Sequence, residues 1–213
     1  MTFPSSGRRG RFDRRSEEDI KKDGEKAMKE ANEIWGNAKS YLELKNSGAE
    51  LTYYPEMEQL SKVISGELPL LIEVNAASDI LNAIKWVEEK NIKVIFTGVA
   101  EGWRVADQLA KSKIPVVTGP VQALPTRASD RYDTPYANAG MLAKAGVKVA
   151  LRTDEEENVR NLPFHAAFAA AYGLGKEEAL KAVTINPAEI FGIADQYGSV
   201  EVGKRANLIV STG

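Results

Sequence analysis

Four short apolar runs constrain this chain more than any other feature: LPLLIEV at 68–74, IKVIF at 92–96, IPVV at 114–117 and VKVAL at 147–151. Each is too short for a stable helix, is rich in Val, Ile and Leu, and stops at turn-forming residues, so each predicts a buried strand. Between them lie SDILNAIKWVEEK, EGWRVADQLAK and the stretch from Tyr136 to Ala145, which predict helices. Strand and helix in strict alternation predict parallel βα units with right-handed crossovers, hence an α/β fold.

The runs end alike, in Glu73 and Asn75, Thr97 and Gly98, Thr118 and Gly119, and Thr153 and Asp154. In a (β/α) barrel such positions converge on one face and line one pocket. Any one of them is equally what a strand running into a turn requires. Asp154 gives the set chemical interest, because a carboxylate at a strand end is how such folds place a catalytic or metal-binding group. The third strand is followed by a long loop, GPVQALPTRASDRYDTPY, where Arg127 and Arg131 suit a substrate carboxylate or phosphate, or else are solvated surface arginines. Arg160, six residues beyond Asp154, joins them as a substrate-binding candidate.

Composition removes several mechanisms. The 213 residues contain no cysteine and one histidine, so no disulfide, thiolate site, cysteine nucleophile or multi-histidine metal site can be built from this chain alone. His165, beside Phe164 at the start of an apolar helix, reads as a hydrogen-bonded core residue. A net charge of −2 gives no reason to expect nucleic acid or a membrane surface as partner. No run of about 18 apolar residues suggests a membrane span, the N-terminal arginines precede no secretory core, and a cytoplasmic location is the default expectation.

Residues 1–15, with five arginines among Gly and Ser, read as a flexible basic arm; residues 16–195 as helices leading into a partial barrel; residues 196–213 as a small β ribbon. The leading helices are expected over 16–44 and 55–65. The helix from Ala166 to Tyr172, nearly all small or apolar, is expected to be buried. The ribbon is expected from two strand-like pieces, 198–202 and 206–210, joined at Gly203-Lys204.

A longer pattern spans Lys181 to Val210. It holds a T-x-N-P-A core, Thr184 to Ala188, followed by Gly198-Ser199-Val200 and then Gly203-Lys204-Arg205-Ala206-Asn207-Leu208. This resembles the C-terminal signature of the amidohydrolase superfamily, particularly imidazolonepropionase-like metal-dependent hydrolases, with Asn207 where the signature has Asp. The similarity runs back through LAKAGVKVALRTD and IPVVTGP to EVNAASDI.

The resemblance implies a (β/α)8 TIM barrel with a small β domain built from both chain termini. Of this the chain would supply about the last four βα units and the ribbon, as a fragment or a truncated gene product. It implies hydrolysis of a non-peptide C–N bond, as in a cyclic amide, with zinc, iron or manganese as the divalent metal. The family's ligands are incomplete here. The first-strand His-x-His has no counterpart, Glu73 and Asn75 stand in the fifth-strand region, and Gly98 stands where the sixth-strand histidine belongs. Asp154 matches the family aspartate that serves as metal ligand and general base. The expectation is a chain inactive by itself, or alternatively a silent binding or structural protein with a small-molecule pocket lined by Glu73, Asn75, Thr97, Gly98 and Thr118. A half barrel would also leave open sheet edges, which predicts a homo-oligomer or a complementing chain.

Overall fold

The computed structural model describes residues 1–5 and 16–210. The chain divides into two compact units, Met1–Ile95 and Phe96–Gly213.

In the first unit, α1 (Glu17–Asn46) starts at Ser16, whose hydroxyl oxygen accepts the Asp19 N–H. Its polar face carries Glu–Lys pairs four residues apart, such as Glu18 with Lys22, and its apolar stripe is narrow, with Ile20, Trp35 and Ala38 buried. Helix α2 (Pro55–Ile64) begins on a proline suited to a first helical turn and is tied to α1 by Lys45 and Glu58 at 2.6 Å. Strand β1 (Leu70–Val74) buries Ile72 and Val74, and α3 (Ala77–Lys90) ends at Asn91 in the left-handed conformation. Trp86 on α3 is the hub: the rings of Phe3 and Trp35 meet it edge-on, at 6.4 and 5.7 Å between centroids, and its Nε1 donates to Asn32.

The start of the expected arm is therefore not free. Thr2 lies beside Glu73 as a parallel bridge, and Phe3 is buried. The arginine-bearing part of the arm lies outside the described residues.

Strand β2 (Val94–Gly98) crosses the division, and the strand order is β1-β2-β3-β4. In the second unit β2, β3 (Val116–Thr118) and β4 (Val149–Leu151) run parallel, with Thr97 opposite Val117 and Val117 opposite Ala150. Every residue of these strands is buried, as expected of parallel strands covered on both faces. The connecting helices are α4 (Ala106–Ser112), entered through a tight turn at Gly102–Val105, and α5 (Thr134–Ala145). After β4 come α6 (Leu162–Ala169), a wide turn at Ala170–Leu174, α7 (Lys176–Lys181) and α8 (Ile185–Ile190). The outward side of β4 is occupied, since the Leu151 N–H donates to the Ala182 carbonyl and the Asn186 side chain donates to the Val149 carbonyl.

Two expectations need correction. Helix α6 is not buried as a whole: His165, Ala166 and Ala169 face inward while Phe164 and Phe168 remain exposed, because an apolar helix lying on one surface can cover only one side. The C-terminal ribbon is not formed among the described residues. Positions 198–210 hold turns, such as Lys204 N–H to the Glu201 carbonyl, and Val202, Ile209 and Val210 are fully exposed. Two strands with nothing packed on their apolar side are marginal in water, whatever their β propensity.

Candidate functional site

The ends of β2 and β3 are locked by one buried amide. Asn138, on α5, donates through Nδ2 to the Val99 carbonyl at 3.0 Å and to Thr118 Oγ1 at 3.1 Å, and its Oδ1 accepts the Trp103 N–H at 2.9 Å. Thr118 in turn donates its hydroxyl to the Gly98 carbonyl at 2.8 Å. This bonding holds an unusual backbone. Gly98 has φ 82°, and the next residue, buried Val99, has φ 54°, a left-handed conformation that a β-branched residue adopts only under constraint. Thr97 is buried one residue before them.

At the end of β4 the Arg152 N–H donates to the Thr118 carbonyl, while the Arg152 carbonyl lies where a Cβ on Gly119 would come within 2.1 Å, so position 119 accepts only glycine. Thr153 is buried. Asp154 follows with φ 57°, its carboxylate exposed and 3.1 Å from the Arg152 guanidinium.

The structure thus brings Gly98, Thr118 and the base of the Asp154 loop into one hydrogen-bonded set. Glu73 and Asn75 belong to the first unit, where Asn75 Nδ2 donates to Glu73 Oε1. Arg127 is committed: it grips Glu101 with two bonds of 2.6 Å, which raises its pKa and leaves its fork turned inward. Thr126 donates to the same carboxylate, and Arg104 pairs with Asp130, so the long loop is stapled to the start of α4. Arg131 pairs with Asp133 on the surface and holds that carboxyl below its usual value. Arg160 is exposed on the turn before α6. His165 is buried, and its Nδ1 accepts the Val121 N–H at 3.1 Å, which places its proton on Nε2. Burial pushes its pKa down, against a smaller upward pull from Glu155.

Sequence reasoning missed Asn138, Glu101 and Val99. Asn138 is the one amide side chain in the TPYANAGMLAKA helix and stands between alanines in its middle, and that was its visible signal. Glu101 and Val99 carry none, since their partners come from distant positions.

Among the described residues no group of three or more His, Cys, Asp or Glu could hold a metal ion. The nearest charged partner of Asp154 is a cation, which opposes a second cation at the same carboxylate. The donor set does not fit a divalent metal as it stands.

Parallel βα units with a carboxylate at the last strand's mouth define a segment of a (β/α) barrel. The sequence model of the amidohydrolase family matches residues 22–212, and the chain belongs to that family, whose members generally use a divalent metal. It is 39% identical over 81 residues to an imidazolonepropionase of Flavobacterium johnsoniae, an alignment covering 36% of this chain and 20% of that protein. It is 27% identical over 169 residues to the amidohydrolase tasK of Hapsidospora irregularis, covering 64% of this chain and 17% of that one. The solved amidohydrolase of Thermotoga maritima superimposes with a TM-score of 0.72 at 31% identity, over 82% of this chain and 47% of the other. The chain spans about a fifth of the curated relatives' length and about half of that structure.

Proposed function

We propose that this chain is the part of an amidohydrolase barrel that carries the last-strand carboxylate, from a protein hydrolysing a non-peptide C–N bond such as that of a cyclic amide, and that alone it does not turn over. One observation carries the reading: Asp154 stands exposed at the end of β4 in a left-handed backbone, its carboxylate paired with the Arg152 guanidinium, and among the described residues no metal-ligating group of three or more forms. A general base must be within reach of the proton it takes, and hydrolysis of an amide also needs an activated water. Asp154, exposed at the strand end, is the group we assign to the first role. The described residues supply nothing for the second.

On this reading Arg160 is the substrate-anion candidate, while Arg127 shapes a loop. Thr97, Gly98 and Thr118 are proposed to line the substrate side in the second unit. The silent binding protein is the second reading, supported by the internal satisfaction of the β2 and β3 ends through Asn138.

Metal analysis and a hydrolysis assay on a panel of cyclic amides test the proposal together. We expect far less than one zinc, iron or manganese per chain and no rate above buffer, for the native chain and for Asp154→Asn alike. Stoichiometric metal, or a rate that Asp154→Asn abolishes, overturns the inactivity. Saturable binding of a cyclic amide without turnover favours the silent reading.

A further inference from the structure

The outer edge of β1 is filled by a segment that the family match, residues 22–212, does not include. On that edge β1 presents the N–H and the carbonyl of both Leu71 and Glu73; the Leu70 N–H points the other way, to the Lys93 carbonyl. Three of these four outward groups bond to residues 1–3: Glu73 N–H donates to the Met1 carbonyl at 2.8 Å, Phe3 N–H donates to the Glu73 carbonyl at 2.9 Å, and the Leu71 carbonyl accepts from the Met1 nitrogen at 3.0 Å. The side chains reinforce the ladder. Phe3 is buried against Trp86, and Ser5 donates its hydroxyl at 2.6 Å to Asp79, a buried carboxylate in the first turn of α3.

We propose that the β1 edge is a strand-accepting slot, filled in cis by Met1–Phe3, and that it takes the same segment from a second copy of the chain when the cis strand is absent. Backbone bonds along the edge give the pairing, and the site beside Trp86 gives it a preference for an aromatic residue two positions after the first paired carbonyl. The cis segment pairs in parallel, and the same segment offered in trans is taken up in that direction.

The test removes residues 1–5 and offers the peptide Met-Thr-Phe-Pro-Ser-Ser in trans at up to millimolar concentration, following the Glu73 amide by heteronuclear NMR and the fold by circular dichroism. If the shortened chain folds, the peptide is expected to shift the Glu73 resonance saturably, and the intact chain is expected not to respond. A peptide with alanine for phenylalanine should bind at least about tenfold more weakly. If the shortened chain does not fold, the peptide is expected to restore its circular dichroism. A folded shortened chain that ignores the peptide, an unfolded one that the peptide does not rescue, or equal response of shortened and intact chains overturns the proposal. Hydrogen exchange on the intact chain adds an independent check: the Phe3 and Glu73 amides should be slowed together at least about tenfold, and a Phe3 amide exchanging at the unprotected rate overturns the cis pairing.

Discussion

Asn138 has each of its hydrogen-bonding atoms engaged, which makes truncation costly at this position. Asn138→Ala leaves the Trp103 N–H without its partner, takes one of two donors from the Val99 carbonyl, which keeps the Gly102 N–H, and loosens the strained Val99 backbone, so we expect a loss of about 1–3 kcal/mol in urea unfolding at pH 7. His165 gives a pH dependence of known sign. Its ordinary value is 6.5 and its folded value is lower, so the unfolded chain binds the proton more readily, and stability falls as pH drops below about 6.5 toward the folded value. Unfolding midpoints at pH 7.5 and 5.5 should show the difference, and His165→Gln should flatten it. The sequence made His165 legible because a single histidine on an apolar face has few alternatives. The role of Asn138 was not legible, because its partners lie 20 to 39 positions away.

The strands and helices were readable from period and length, with the strands starting up to two residues later than the apolar runs because the ladder, and not the composition, sets their limits. What local pattern did not reveal is how elements touch. Helix α5 meets the turn after α6 so closely that a Cβ on Gly140 would lie 2.7 Å from the Gly173 and Leu174 backbone. Gly140→Ala should therefore destabilise by about 1–3 kcal/mol even though alanine is the better helix former, as differential scanning calorimetry will show. The loop after β3 depends on Glu101. Removing its charge with Glu101→Gln leaves Arg127 without its bidentate partner; half exposure of that arginine tempers the loss to about 1–2 kcal/mol. Tryptic cleavage after Arg127 should accelerate accordingly. The 198–210 tail shows the opposite failure: its β propensity was plain in the sequence, yet propensity without a partner surface builds no strand.

For the whole molecule, the exposed residues 206–210 contribute little to stability, so a chain ending at Arg205 should melt within about 1 °C of the full one. The family was legible from the T-x-N-P-A and G-S-V motifs, since such long patterns encode how the chain returns to the barrel. The state of the sheet edges was not. The open edges expected of a half barrel are engaged among the described residues, at β1 by residues 1–3 and at β4 by Ala182 and Asn186. Association between copies, which we still propose, would then use apolar surface such as Phe164 and Phe168 in preference to strand pairing.

The capped edges also bear on how such a segment could be enlarged. Joining two copies end to end doubles the strand count to that of a closed barrel, yet each copy would carry its own stopper into the seam. A ring could form only after residues 1–3, the Ala182 carbonyl and the Asn186 side chain withdrew from the strands they occupy. A tandem gene of this chain should therefore yield two beads on a string, and removing the internal copy of residues 1–5 is the first change needed to let the seams meet.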